Sequence, residues 1–285
     1  MMISNDVFFI VLLAALLNAG WNSAIKIGGD RISVMAITTL IGSGISLCAL
    51  PWVAMPAPES WGWLALSVAI HTVYHLVLPI AYRHGDLGQV YPIARGSAPL
   101  LVVIGGVVLA GEWPGNGALL GVVVLSGGVL ALGWWGRAHP PGASRRPVGY
   151  ALLTGLLIAA YTVVDAMGAR AAASAVGFAV LVTLLDGIAT ALVVLRWKGT
   201  QVFKVDRKTW MLCALAGTMQ MGAYWIVVWA LARAPMGAVS ALRETSVLFV
   251  ALISAFVLKE GLSARRLLSA AVVFAGIVLI RFSPA

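Results

Sequence analysis

Residues 243–260 read "RETSVLFVALISAFVLKE", and residues 95–112 read "RGSAPLLVVIGGVVLAGE". Both blocks begin with arginine, end with glutamate and carry leucine and valine at matching places between. Each is apolar enough for lipid and yet starts with a cation. A charge at the centre of a spanning helix costs about 2.5–3.5 kcal/mol on insertion scales, so such an arginine should face protein or a water-filled space.

The whole chain has the same character. Over its 285 residues 61% are hydrophobic and 10% charged, and the mean hydropathy is +0.98. Soluble domains carry about a quarter charged residues, so this chain has too little polar surface to face water. A spanning helix needs about 20 mostly apolar residues. Ten such runs are expected, at 7–26, 33–54, 62–82, 88–110, 115–135, 149–169, 174–196, 209–232, 237–258 and 264–282. The first run lacks a basic leader and a small-residue cleavage site, so it reads as a span and not a removable signal. The fourth, with Pro92 and Pro99 inside it, is the one most open to interruption.

The net charge of +9 invites a nucleic-acid reading, but its distribution argues for a membrane. With ten spans, one face collects Lys26, Arg31, Arg83, Arg137, Arg145, Arg146, Arg196, Lys198, Lys204, Arg207, Lys208, Lys259, Arg265 and Arg266. The other holds Arg170, Arg233 and Arg281. The positive-inside rule then puts the first face in the cytoplasm and both termini on the opposite side. The basic balance suits anionic lipid, and no nucleic-acid partner is expected. Cys48 and Cys213 sit inside apolar spans as small hydrophobes.

The two quoted blocks belong to a longer repetition. "LLAALLNAGWNSAIK" (12–26) lies over "LLTGLLIAAYTVVDA" (152–166), "VYHLVLPIAYR" (73–83) over "AYWIVVWALAR" (223–233), and "LLGVVVLSGGVLAL" (119–132) over "LLSAAVVFAGIVLI" (267–280). The order is kept throughout, which implies duplication: residues 1–136 as one five-helix repeat, 137–147 as a cytoplasmic linker, 148–285 as the second repeat. Five is odd, so the second copy enters the membrane from the opposite side. The expected architecture is an all-α integral membrane protein of ten spans, two inverted repeats around a central cavity. Secondary transporters are built this way, with their sites near the midplane.

Polar and aromatic residues recur at helical spacing inside the runs and mark faces that should line such a cavity. They are Asn18, Trp21 and Asn22; Tyr74, His75 and Tyr82, with His71 on the same stripe; Tyr91 and Arg95; Tyr161, with Asp165 beside it; Tyr224 and Trp225, with Gln220; and Ser240, Arg243 and Glu244. The first-named of each set are the candidate substrate-binding residues. Arg95 and Arg243 are open to two readings, cavity residues or structural partners of Glu244, Asp186 or backbone carbonyls. Asp186, in the seventh run, reads as a member of a buried ion pair, with proton coupling as its other role. Glu112 and Glu260 read as structural, pairing with helix ends or loop arginines. Trp52, Trp61, Trp63, Trp134, Trp135, Trp197 and Trp210 fall at run ends, where tryptophan anchors to the membrane interface. The pair Gly117 and Gly121 suits close helix packing.

Enzymatic readings find little support. The sequence has no H-E-x-x-H, no G-x-S-x-G, no Walker loop and no CxxC pair. His71 and His75 stand four apart, a spacing a metal could use, but no carboxylate or third ligand neighbours them in the sequence. No metal and no cofactor are expected. A membrane-embedded lipid enzyme would need convergent catalytic groups that the sequence does not display.

"AGWNSAIK" in the first run, "YPIARGSAPL" opening the fourth and "ALRETSVLF…LKE" opening the ninth resemble the EamA-type branch of the drug/metabolite transporter superfamily. The resemblance spans essentially the whole chain, and within the branch it leans toward aromatic amino-acid exporters. It implies ten helices in the bacterial inner membrane, a central cavity lined by helices one, three, four, six, eight and nine, and export of amino acids or other metabolites. Four-helix relatives in the superfamily use a glutamate in helix one to exchange protons for drug cations. Here that region offers Asn18, Trp21 and Asn22 and no acid, which favours a neutral or zwitterionic cargo and leaves a drug cation as the alternative. Ten spans could enclose a path alone, so a monomer is expected.

Overall fold

The computed structural model describes residues 4–27, 30–84, 87–135, 146–250 and 264–283. Among them the chain is all helical: α1 (Asn5–Ile27), α2 (Arg31–Ala49), α3 (Trp61–His84), α4 (Leu87–Ala110), α5 (Asn116–Trp135), α6 (Arg146–Ala171), α7 (Ala175–Lys198), α8 (Arg207–Leu231), α9 (Met236–Arg243) and α10 (Ala264–Phe282). Eight helices, α1 to α8, are long and apolar enough to cross a membrane; the apolar part of α10, Leu267–Phe282, is shorter. Residues 251–258 of the expected ninth span lie outside the described residues, as do Lys259, Glu260 and most of the linker.

Local chemistry sets the helix starts. Asp30, Ser174 and Asp206 each precede a helix and accept from a backbone amide of its first turn, Ser33 N (3.3 Å), Gly177 N (3.1 Å) and Thr209 N (3.0 Å). Such caps satisfy donors the first turn cannot bond internally. Burial alone would push the Asp30 carboxyl up, but the Lys198 ammonium and the Ser33 donors outweigh it and hold the group below the usual carboxylate range. Gly111 and Gly115, both at positive φ, turn the chain between α4 and α5.

By contacts the chain forms two compact units. One comprises residues 1–15, 80–163 and 234–285, and the other residues 16–79 and 164–233. Each draws on both halves of the sequence, so these units do not coincide with the expected repeats 1–136 and 148–285. The boundary within α3 falls at Pro79.

In the first unit α5 runs along α10 at glycine contacts. A methyl at Gly121 would meet Ile280 N at 2.8 Å, and one at Gly276 would meet Leu125 N at 2.7 Å. In the second, α2 packs on α7 and α8 by the same means: Gly187 lies on the Thr39 carbonyl, Gly217 on that of Thr38, and Ser43 Oγ donates toward the carbonyls of Leu184 (2.9 Å) and Thr183 (3.1 Å). Membrane helices associate through small residues and interhelical hydrogen bonds, because lipid removes the hydrophobic drive between them. The exposed side chains include Phe9, Leu66, Val108, Leu192 and Phe274, while His71, His75, Arg95, Asp165, Asp186, Arg243 and Glu244 are buried. Trp52, Trp61, Trp197 and Trp210 are exposed at helix ends as an interfacial belt requires, but Trp63 packs beside Phe178. The side chains of Trp134 and Trp135 lie outside the described part.

The helical interruption expected in α4 occurs in α9 instead. α4 is helical through both Pro92 and Pro99. α9 stops at Arg243, and the amides of Glu244, Thr245, Val247 and Leu248 each bond three residues back, to Ala241, Leu242, Glu244 and Thr245 at 2.9–3.1 Å. That tightening is a 3-10 turn inside an apolar run, an arrangement often met at functional hinges.

Candidate functional site

The first unit gathers the two arginines onto one acid. Glu244, fully buried at the α9 break, has Oε1 3.2 Å from Arg95 Nη1 on α4 and 3.5 Å from Arg243 Nε. Two cations from distant parts of the sequence thus share this carboxylate. Arg95 lies over the Tyr91 ring at 5.3 Å and Arg243 over the Tyr161 ring at 5.8 Å, both in cation–π range. The Tyr91 hydroxyl reaches Ser246 Oγ at 3.2 Å, and Arg243 Nη2 donates to Thr162 Oγ1 at 3.5 Å.

Around the break, Ser240 Oγ, Thr245 Oγ1 and Arg243 Nε are buried without a hydrogen-bond partner among the described residues. The ion-pair distance of Arg243 Nε to Glu244 lacks hydrogen-bond geometry. Buried polar atoms of native proteins are nearly always partnered, so three such atoms within six residues ask for a ligand or water. Tyr82 is buried in this unit as well. Glu112 Oε2 accepts from Met236 N at 3.1 Å, so this acid caps the start of α9 as a structural residue.

The second unit holds a different cluster. His71 Nε2 lies 3.1 Å from Asp165 Oδ2, and His75 Nδ1 lies 3.0 Å from Asp186 Oδ2. Ser67 Oγ donates to Asp165, and Thr190 Oγ1 to Asp186 at 3.2 Å. Gln220 stands 3.1 Å from His75 Nε2. Tyr224 meets the His71 ring edge-on with centroids 5.1 Å apart, and Tyr74 lies 5.1 Å from His75. The expectation that no carboxylate accompanies the histidine pair is therefore corrected: two do, from α6 and α7. Donor atoms of His71, His75 and Asp186 lie within 4.8 Å of one another, close enough to suit a cation, but hydrogen bonds inside the cluster already engage each of them. His71 and Asp165 belong to this group although neither is among the expected binding residues; their places on the polar stripes of α3 and α6 are the available signal.

Other candidates are occupied locally. Trp21 Nε1 donates to Asn18 Oδ1 at 2.7 Å and Asn22 Nδ2 to the Asn18 carbonyl at 2.8 Å, so this stripe bonds along α1. Trp225 Nε1 donates to Thr183 Oγ1 at 3.0 Å, and its ring packs beside the Phe178 cluster.

Comparison with known proteins supplies a class. Residues 145–282 match the model of the EamA-like transporter family. That segment is thus similar to a domain of small-molecule membrane transporters and not of enzymes. No curated protein matches the sequence significantly. Twenty-nine solved chains match the fold. One crystal structure superposes with a TM-score of 0.76 at 19% identity, over 96% of this chain and 94% of its own. At that identity the likeness concerns fold alone.

Proposed function

We propose that this protein is a secondary transporter that exports amino acids, aromatic ones among them, by alternating access of two inverted five-helix repeats around a central cavity. It works as a monomer in a bacterial inner membrane, with both termini on the periplasmic side. The observation that carries the cargo reading is the α9 break, where two buried guanidiniums meet beside polar atoms that have no hydrogen-bond partner among the described residues. An α-carboxylate answers both needs, since guanidinium–carboxylate pairing is the strongest hydrogen bonding available to it. The rings of Tyr91 and Tyr161 offer flat faces to an aromatic side chain. Discontinuous helices at repeat interfaces are the usual substrate sites of secondary transporters, and the α9 break fits that pattern. The contact units agree with duplication in one respect: each pairs repeat mates, α2 with α7 in one and α5 with α10 in the other.

A counterflow screen in proteoliposomes tests the reading. Vesicles preloaded with phenylalanine, tryptophan or a small neutral amino acid should take up the labelled compound faster than protein-free vesicles. Flux of an organic cation with no amino-acid flux would replace the cargo.

A further inference from the structure

The amino-acid reading leaves the imidazole–carboxylate cluster of the second unit without a task. His71, His75, Asp165 and Asp186 are each at most 6% exposed and come from three helices, α3, α6 and α7. The groups that face them from α8 are Gln220 and Tyr224, and Tyr74 lies beside His75 on α3 itself. The two pairs differ in surroundings. Asp165 is held by His71 and the Ser67 hydroxyl, with the Tyr224 side chain against them. His75 has Asp186 on one ring nitrogen and a side-chain amide on the other.

That amide matters because it serves either protonation state. With its nitrogen toward His75 Nε2 it donates to a neutral imidazole, whose Nδ1–H donates to Asp186. After a half-turn its oxygen accepts from an imidazolium. Protonation at Nε2 takes the His75–Asp186 pair from a net charge of −1 to zero and loses no hydrogen bond. A carboxylate with a neutral imidazole is costly away from water, so proton occupancy and access to water are tied together at this place.

We infer that His75, Asp186 and Gln220 form a proton-binding site that couples export to the proton gradient, one proton entering for each solute that leaves. The inference rests on the transporter reading. The proton is taken up at His75 Nε2 from one side and released from the same nitrogen to the other. His71–Asp165 stays paired throughout as a positioning pair that holds α3 against α6.

Two measurements decide it. Nitrogen-15 NMR of the histidine-labelled full-length protein in nanodiscs needs no cargo. One imidazole should pass from neutral to cationic between pH 8 and pH 5. Its signals should vanish in His75→Gln. A His75 ring in one protonation state across that range overturns the proposal. In proteoliposomes with labelled phenylalanine, the wild-type protein should accumulate solute up to about tenfold per unit of pH gradient for one-for-one exchange. Asp186→Asn should keep counterflow at equal pH and lose that accumulation. Accumulation that survives in Asp186→Asn also overturns the proposal. Absence of phenylalanine counterflow in the wild type would count against the cargo reading, and the NMR titration would still decide this one.

Discussion

Replacing Glu244 by glutamine (E244Q) removes the carboxylate that Arg95 and Arg243 share. The carboxylate lies 3.2 Å from one guanidinium and 3.5 Å from the other, and its side chain is fully buried. At an effective dielectric of about 20, attraction at these separations is about 5 kcal/mol per pair. Desolvation of three ions cancels much of it, so the gross figure is not the net contribution. The substitution nevertheless takes from two buried guanidiniums the carboxylate they share, and losses of that kind run to about 3–5 kcal/mol. In a thermal-unfolding assay on detergent-solubilised protein, E244Q should lower the midpoint by about 6 °C or more. The double variant E244Q/R95M should recover at least about 1 kcal/mol of the loss, because one of the stranded cations is gone. A single variant as stable as wild type, or a double variant weaker than the single, refutes charge compensation as the cluster's role.

Further expectations concern packing, capping and pH. Gly187→Ala should destabilise by about 1–3 kcal/mol because its methyl overlaps Ser43 Oγ and the Thr39 carbonyl. Gly44→Ala, with nothing within 4 Å of the added carbon, should gain about 0.5–1 kcal/mol, and the two midpoints measured side by side check both. Glu112→Ala should cost about 1 kcal/mol in the same assay through loss of the α9 cap, with Glu112→Gln milder. The Asp30 carboxyl is held below its ordinary value in the folded chain, so its contribution is present above the unfolded-state value near pH 4 and fades as pH falls through the folded one. The stability difference between wild type and Asp30→Asn should therefore be below about 1 kcal/mol at neutral pH and shrink toward zero in acid.

Much of the architecture was legible because lipid imposes long apolar runs that the chain cannot disguise. Runs one to eight correspond to α1 to α8 within a few residues. Glu112 at a helix end and Gly121 at a close contact were legible for the same reason, since each role is nearly local. Partnerships were harder. The stripes marked the faces of His71, His75 and Asp165, and Asp186 stood out as an acid inside an apolar run, but only tertiary packing decides which acid meets which imidazole. The α9 break escaped notice because "RETS" carries no glycine or proline, whereas Pro92 and Pro99 drew attention to a helix that absorbs them. A proline removes one amide and leaves the helical path open; a shift to three-residue bonding tightens the turn and lengthens the rise per residue without any marker residue.

Pro79 adds a mechanical corollary for α3. Having no amide hydrogen, it cannot donate to the carbonyl of His75, one turn earlier in the same helix. Flexing α3 at that joint breaks no backbone bond there, so the segment carrying both imidazoles can tilt cheaply while the rest of the rod stays rigid.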